Sequence, residues 1–519
     1  MNLPDREATL GRLSALAETD VLIIGGGING AGLLRELAIN SVSTVLVDKG
    51  DFASGATSAS SRMIHGGLRY LENGEFRLVA ESLAERDRLL RNAPHAVAPL
   101  PTTIPILSVW AGLTSAVKRL VGGASRPGSR GAILIGLGLF FYDLLSIRHR
   151  ILPAHRMSGR RAALATRPWR TDIAATATYY DAMVALPERL CLELIDDALT
   201  AEPASIAANY VAATGQTDGV VRLEDQVSGQ VFKIRPKVVV NASGAWIDFA
   251  NAALGEPSRF IGGTKGSHLV LNHPELLAAT GGHQIFHETE DGRICIFFPL
   301  HGRVLAGSTD LHIDDPDQAV CDDDEADYIL RSVTSVFPTI QVGREHIVSR
   351  FCGVRPLPRA DTLTTGQISR DHSVAVTLPD DDRPWPVYSM VGGKWTTFRS
   401  FSEQVADRVM LQLDRPRRAT SRDLPIGGHS PAPDLAETAS LQRACRTEAV
   451  VHLDDLILRR TSIGLFDPPD AAGFAEIAAL AGDALGWTSA RVAAEAEAAL
   501  SLLARRHAVF PSAPQEARP

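Results

Sequence analysis

Gly25, Gly27 and Gly30 stand at the spacing Gly-x-Gly-x-x-Gly, and Asp48 closes the next apolar run. Residues of these types in this order can hold the pyrophosphate and ribose of a dinucleotide. Gly25 allows a tight turn, Gly27 lets the backbone approach a pyrophosphate, and Gly30 lets a helix lie close on a strand. The chemistry needs a helix to open at the glycines, because its N-terminal N–H groups and dipole favour phosphate charge. Asp48 can accept from an adenosine ribose hydroxyl. The small-residue run Ala53–Ser61 follows. It can wrap a ligand and offer hydroxyl and backbone donors to phosphates; the same composition also suits a plain flexible loop.

The flanking sequence supplies the elements these residues require. Val21–Ile24 reads as an apolar strand, a helical pattern follows the glycines, and Thr44–Val47 reads as a second strand ending at Asp48. At 519 residues the chain exceeds the size at which one core stops growing, so two or three domains are expected. A formal net charge of −8 argues against a general nucleic-acid binder. None of the five cysteines forms a Cys-x-x-Cys pair, which predicts neither a disulfide framework nor a zinc knuckle and suits a reduced, cytoplasmic setting. The first 20 residues carry acids and no long apolar core, so no signal peptide is expected, and no window reaches the ~20 apolar residues of a spanning helix.

Further along, residues 75–92 read as an amphipathic helix closed by Asn92 and Pro94. Residues 101–161 contain nine Lys or Arg (Lys118, Arg119, Arg126, Arg130, Arg148, Arg150, Arg156, Arg160 and Arg161) and one acid, Asp143; within them Ala132–Tyr142 is unbroken apolar sequence. Such a segment suits either an anionic membrane face or a buried helix beside a solvated basic loop. A second βαβ-like unit is expected from Tyr179, with a turn at Asp181 and a helix over Pro187–Leu199. Strands around Ser205–Ala213 and Val231–Ile234 lead to Lys237–Asn241. That last strand runs into Ala242-Ser243-Gly244, a second close approach to the dinucleotide. Residues 260–350 alternate short strands and turns, which predicts an antiparallel sheet capping a substrate. The acidic cluster between Asp314 and Asp327 fits no calcium loop, and its second half is placed where a helix begins, so no metal is expected. The chain is read as returning to the nucleotide unit at Ser349–Arg355 and Val387–Phe398. A linker is expected over 411–431, a small helical domain over 432–510, and a disordered tail at the end.

The motifs GGGINGAG, IHGGLRYLE and EFRLV closely resemble the flavin-dependent glycerol-3-phosphate dehydrogenases of respiratory chains. NASGAW, KGSH, AGSTD, GVRPL, SRDH and GGKWTT continue the match in order, over most of residues 19 to 405. The resemblance implies an α/β protein with a discontinuous Rossmann-like FAD-binding domain of the glutathione-reductase/D-amino-acid-oxidase type (19–99, 176–262 and 351–410). An antiparallel β-sheet substrate cap (100–175 and 263–350) and the small C-terminal helical domain complete it. It implies FAD held by Gly25, Gly27, Asn29, Gly30, Asp48, Ser58, Ser61, His65, Gly66, Gly67, Ser243, Gly244, Gly392, Gly393 and Lys394. It further implies glycerol 3-phosphate as substrate, a membrane quinone as acceptor, and a cytoplasmic enzyme peripheral on the inner face of the cell membrane; a homodimer is left open. The family usually carries an acidic pair where this chain reads Leu186-Pro187-Glu188-Arg189-Leu190, which puts the exact polyol in question.

Oxidising a secondary alcohol beside a phosphate requires a rigid hydride acceptor, a base, cations for the dianion and exclusion of water. The resemblance places Arg69, His268, Arg355, Arg370 and Lys394 around the reactive ring. Arginine forks suit phosphate, so Arg69, Arg355 and Arg370 are the expected phosphate and alkoxide contacts. Lys394 can reach flavin or substrate, and Tyr70 is expected to hydrogen-bond the substrate. His268 is the expected general base because imidazole titrates near neutral pH; an arginine-assisted transfer without it stays open. Cys352 adjoins a site motif, but hydride transfer needs no thiol. Two alternatives keep the fold: oxidation of another phosphorylated polyol, with oxygen possible as acceptor, and a flavin-binding redox sensor without turnover. A nicotinamide dehydrogenase fits the later motifs poorly.

Overall fold

The computed structural model describes residues 1–111, 131–147, 149–359, 371–428, 432–434 and 437–510, and the backbone alone of residues 69, 72 and 73. The side chain of Arg69, all of Arg370, and Lys118, Arg119, Arg126, Arg130 and Arg148 of the basic segment therefore lie outside the described residues, as do the last nine.

Two sheets position the site. The first is built on Glu18–Ile24, where Val21, Leu22 and Ile23 are fully buried. A strand enclosed on both faces reads as a continuous apolar run, and this one lies parallel between Thr44–Val47 and Val231–Asn241. Ile206–Ala208 and Val387–Gly392 extend the parallel set on either side, so its strands come from widely separated parts of the chain. The helices Ile28–Ala38, Pro187–Ala201 and Phe398–Gln412 cover one face through Leu33, Leu37, Leu190, Leu194, Phe401 and Val405. Leu22, Val45, Val239 and Trp385 close the other.

Among the described residues the second sheet has ten strands and is antiparallel except where Gln284–Glu288 runs parallel to Val97–Ile106. Its outer face is covered by the helix Asp323–Val336. That helix absorbs the second half of the acidic cluster. The Asp322 side chain accepts from the Glu325 N–H while Glu325 reaches back to the Asp322 N–H, and Asp323 and Asp327 pair with Arg344.

Three sequence expectations need correction. Ala175–Val184 is one unbroken strand with Asp181 opposite Leu100, so there is no turn at Asp181 and this stretch belongs to the second sheet. Polar Asp181 mimics a turn residue, but it is buried and held by Arg86 and the Tyr142 hydroxyl. Ile347–Arg355 likewise pairs with Thr264–Leu271 in the second sheet, so the chain rejoins the first sheet with the hairpin His372–Thr377 and Val387–Gly392. The expected linker is strapped down: the N–H groups of Arg418 and Ala419 donate to the Asn40 side chain, Arg417 pairs with Glu36, and Ile426 is buried.

At the C-terminus, Thr438–Thr447, Leu453–Arg460, Ile463–Phe466, Ala471–Leu485 and Ser489–Leu502 are helical. Their core is shared with the second sheet, since Phe474, Leu465 and Leu453 join one cluster with Phe298, Leu305 and Phe351.

Candidate functional site

The glycine motif folds as its spacing requires. Gly25 sits at φ +110°, and an added Cβ would lie 2.7 Å from the backbone of Ala242. At Gly30 a Cβ would stand 1.9 Å from the Gly25 carbonyl oxygen, so only glycine lets the helix start this close to the strand. Both Asp48 oxygens accept from backbone, Oδ2 from Gly26 N–H (2.7 Å) and Oδ1 from Gly50 N–H (2.9 Å). Burial nevertheless pushes this carboxyl up to about 6. Thr57 Oγ1 accepts from Ile28 N–H (3.0 Å) and ties the small-residue loop to the helix start.

From this turn a cavity of about 670 Å³ runs between the sheets. It is lined by Gly25, Gly27, Asn29, Asp48, Ser243 and Gly244, and also by Ser61, His65, Tyr70, His268, Arg355, Gly392, Gly393 and Lys394. These residues, expected from distant motifs, therefore meet in one space. Gly30, Ser58, Gly66 and Gly67 lie behind its wall: the Ser58 hydroxyl donates to the Gly55 carbonyl (3.1 Å), and Gly66 N–H donates to Tyr142 Oη (3.0 Å) and Asp181 (3.2 Å). Also in the lining, Trp246 Nε1 donates to Asp317 (2.9 Å) and Lys49 lies 4.8 Å from the Trp246 ring centre.

The lining cations Arg355 and Lys394 are held in fixed positions. Arg355 donates to Asp310 (3.1 Å), Ser308 Oγ (2.9 Å) and the Thr309 carbonyl (3.1 Å). Lys394 Nζ donates to Ser82 Oγ (3.1 Å) and stands 3.9 Å from the centre of the Tyr70 ring, a cation–π contact in a largely buried place. The departure at residues 186–190 also has a structural use, since Glu188 pairs with fully buried Arg62 at 3.0 Å.

His268 differs from expectation. It is 2 % exposed, stacks on Phe351, and shares a 2.8 Å hydrogen bond between Nε2 and Ser61 Oγ, while Nδ1 is buried with no hydrogen-bond partner. Burial first, then Arg355 and Arg62, bring its pKa down to about 3, so the imidazole is neutral across the physiological range rather than titrating near 7. The unfolded chain takes up this proton near pH 6.5 and the folded one does not, so stability is lost as pH falls from 6.5 toward 3. The slope from this one group is about 1.4 kcal/mol per pH unit at most. His268→Gln is expected to flatten the acid limb of stability measured by urea unfolding between pH 7 and 4; an unchanged limb would contradict the assignment. Cys352 is half-buried, and burial raises its thiol, away from a reactive thiolate.

Sequence reasoning passed over Ser308, Asp310, Ser82 and Thr57. Ser308 and Asp310 sit inside the AGSTD motif and could have been found there; Ser82 lies in an amphipathic helix and carries no local signal.

A family model for FAD dependent oxidoreductases matches residues 20–395. The chain is 36% identical over 416 residues to a glycerol-3-phosphate dehydrogenase of Synechocystis sp., covering 76% of this chain and 70% of that protein. It is 29% identical over 414 residues to a D-erythritol 1-phosphate dehydrogenase of Brucella abortus, covering 79% and 77%. Among solved structures, the glycerol-3-phosphate dehydrogenase of Bacillus halodurans complexed with FAD superposes with a TM-score of 0.72 at 21% identity, covering 98% of this chain and 99% of that one, a likeness of fold. The tight turn at Gly25, the cavity-lining acid Asp48 and the volume of the cavity fit a dinucleotide of that kind.

Proposed function

Because the chain belongs to the FAD-dependent oxidoreductases, and within them to the glycerol-3-phosphate dehydrogenase family, we propose that it oxidises sn-glycerol 3-phosphate to dihydroxyacetone phosphate and passes the electrons to a membrane quinone. FAD, its cofactor, supplies the hydride acceptor. The observation that carries the reading is the meeting of Arg355, Lys394, Tyr70 and His268 in the cavity that the glycine turn also lines.

In this proposal Arg355, with Arg69 and Arg370, holds the phosphate dianion. Its fork is already oriented by Asp310 and Ser308, so little side-chain freedom is lost on binding. His268 takes the hydroxyl proton. Its Nε2 shares a 2.8 Å hydrogen bond with Ser61 Oγ, a lining residue through which the proton can pass, and an arriving dianion offsets Arg355 and raises the proton affinity of the ring. Lys394, buried against Tyr70, places a positive charge beside the reacting centre. Steady-state assays with a panel of polyol phosphates and a quinone analogue, with peroxide measured alongside, test the reading. The highest kcat/KM is expected for sn-glycerol 3-phosphate with little peroxide. A preference for erythritol 1-phosphate would move the substrate, and stoichiometric peroxide would make the enzyme an oxidase.

Attachment to an anionic membrane face is supported by the helix Ala132–Ser146. Leu139 and Tyr142 are buried beneath it, while Ile133, Leu137, Phe140, Phe141 and Leu144 are exposed beside Trp110, which is 70 % exposed. Among the described residues no helix is long and apolar enough to cross a membrane, so this face would lie in the interface. Replacing Phe140 and Phe141 together by Ser removes two aromatic anchors, and binding to anionic vesicles is expected to weaken by about tenfold or more. Equal sedimentation of variant and parent would remove this part of the proposal.

A further inference from the structure

The C-terminal region reaches the cavity itself through Arg506, which donates to the Asp317 carbonyl, and it also grips both ends of the loop that lines the cavity. Ser54, Gly55, Ala56, Thr57, Ser60 and Ser61 face the cavity. The loop Ala53–Ser61 is built of small residues and buries little of its own, so its conformation has to be imposed from outside. Ala53 is even held at φ +62°, a left-handed conformation unfavourable for a residue with a Cβ.

The first grip is on Asp51, which is 1 % exposed. Arg460 meets it with a parallel fork, Nη1 to Oδ2 at 2.5 Å and Nη2 to Oδ1 at 2.8 Å, and Arg459 Nε donates to Oδ2 as well. Arg460 is itself seated by the carbonyls of Glu448 (2.7 Å) and Ala449 (3.0 Å). The two arginines hold the Asp51 carboxyl far below the usual carboxylate range despite its burial, so the pair stays charged. The second grip is on the far end. The Arg62 guanidinium lies 5.5 Å from the centre of the Phe466 ring, and Ala59 and Met63 pack against the cluster that contains Phe466, Leu465 and Phe474.

We infer that the C-terminal helical unit is the clamp of the cofactor loop, with Arg459 and Arg460 on Asp51 as one jaw and Phe466 on Arg62 as the other. The inference rests on the FAD reading of the cavity and not on the choice of substrate or acceptor. A unit that only adds stability would lower the melting temperature of loaded and empty protein alike and leave the FAD dissociation constant where it was. A clamp changes the constant itself, because the empty loop must then be ordered at the expense of binding.

The test uses full-length protein stripped of FAD and titrated with it, read by quenching of flavin fluorescence. Arg460→Met is expected to raise the FAD dissociation constant by about tenfold or more, and Phe466→Leu by a smaller factor. The KM for glycerol 3-phosphate at saturating FAD is expected to stay within about twofold. Arg491→Met is the control: Arg491 donates to the Val451 carbonyl (3.0 Å) inside the C-terminal unit and does not reach the loop. It is expected to lower the melting temperature and leave FAD affinity unchanged. Should Arg460→Met not accumulate as folded protein, Phe466→Leu carries the same comparison. An unchanged dissociation constant in the clamp variants, or an equal rise in Arg491→Met, would overturn the inference.

Discussion

Arg355→Ala is expected to purify with its flavin and to lose nearly all turnover. The guanidinium that faces the cavity is gone, and with it the positive charge 3.1 Å from Asp310, so the site turns more negative just where a dianion has to bind. Removing one member of a partly buried charge pair costs about 3–4 kcal/mol, which corresponds to roughly 10²- to 10³-fold in kcat/KM. FAD is expected to remain because Gly25, Gly27 and Asp48, its proposed dinucleotide contacts, are untouched by the substitution. Arg355→Lys keeps the charge but not the fork, and is expected to fall between the two. Flavin content by absorbance and initial rates in the same preparation check both halves of the claim; near-parental kinetics in Arg355→Ala would remove Arg355 from the site.

The other large effect is expected from one methyl group. Gly30→Ala places a Cβ where the Gly25 carbonyl oxygen stands, 1.9 Å away, and the only relief is to move the helix or the turn. Overpacking of this kind costs about 1–3 kcal/mol in a core that can yield. Here the atoms that must move form the turn proposed to receive the pyrophosphate. The variant is therefore expected to be colourless, with FAD affinity reduced by at least about 10²-fold. Gly11→Ala is the matched comparison. Nothing lies within 4 Å of a Cβ built there, and the residue sits in the helix Arg6–Ala15, so the same change is expected to be neutral or slightly stabilising. A yellow Gly30→Ala protein of normal affinity would contradict the account of the motif.

What could be read before folding follows from how local each signal is. The strand, glycine turn, helix, strand and acid of residues 18–48 lie consecutively, and each step is dictated by its own neighbours, so the reading and the structure agree almost residue for residue. The basic residues were legible only through their motifs. Nothing local to Lys394 announces the ring of Tyr70 or the hydroxyl of Ser82, more than 300 positions away in sequence. Asp181 and Ile347–Arg355 were misplaced because strand length and sheet membership depend on partners: a buried aspartate with Arg86 and Tyr142 around it is compatible with a strand, and without them it reads as a turn. The near-neutral base expected of His268 failed for a similar reason, since burial and two arginines act on it from elsewhere in the chain. The Asp51–Arg460 pair, joined across 409 positions, left no sequence signal at all.

Anaerobic titration of the purified yellow protein with sn-glycerol 3-phosphate tests the central claim most directly, because it asks whether the cationic residues of the cavity deliver a substrate to the reactive ring of the bound flavin. The account predicts that the visible flavin absorbance bleaches within mixing and turnover times, at about one substrate per bound flavin, while glycerol without its phosphate leaves it unchanged at the same concentration. A chromophore that bleaches with a chemical reductant but stays yellow in excess glycerol 3-phosphate would contradict it.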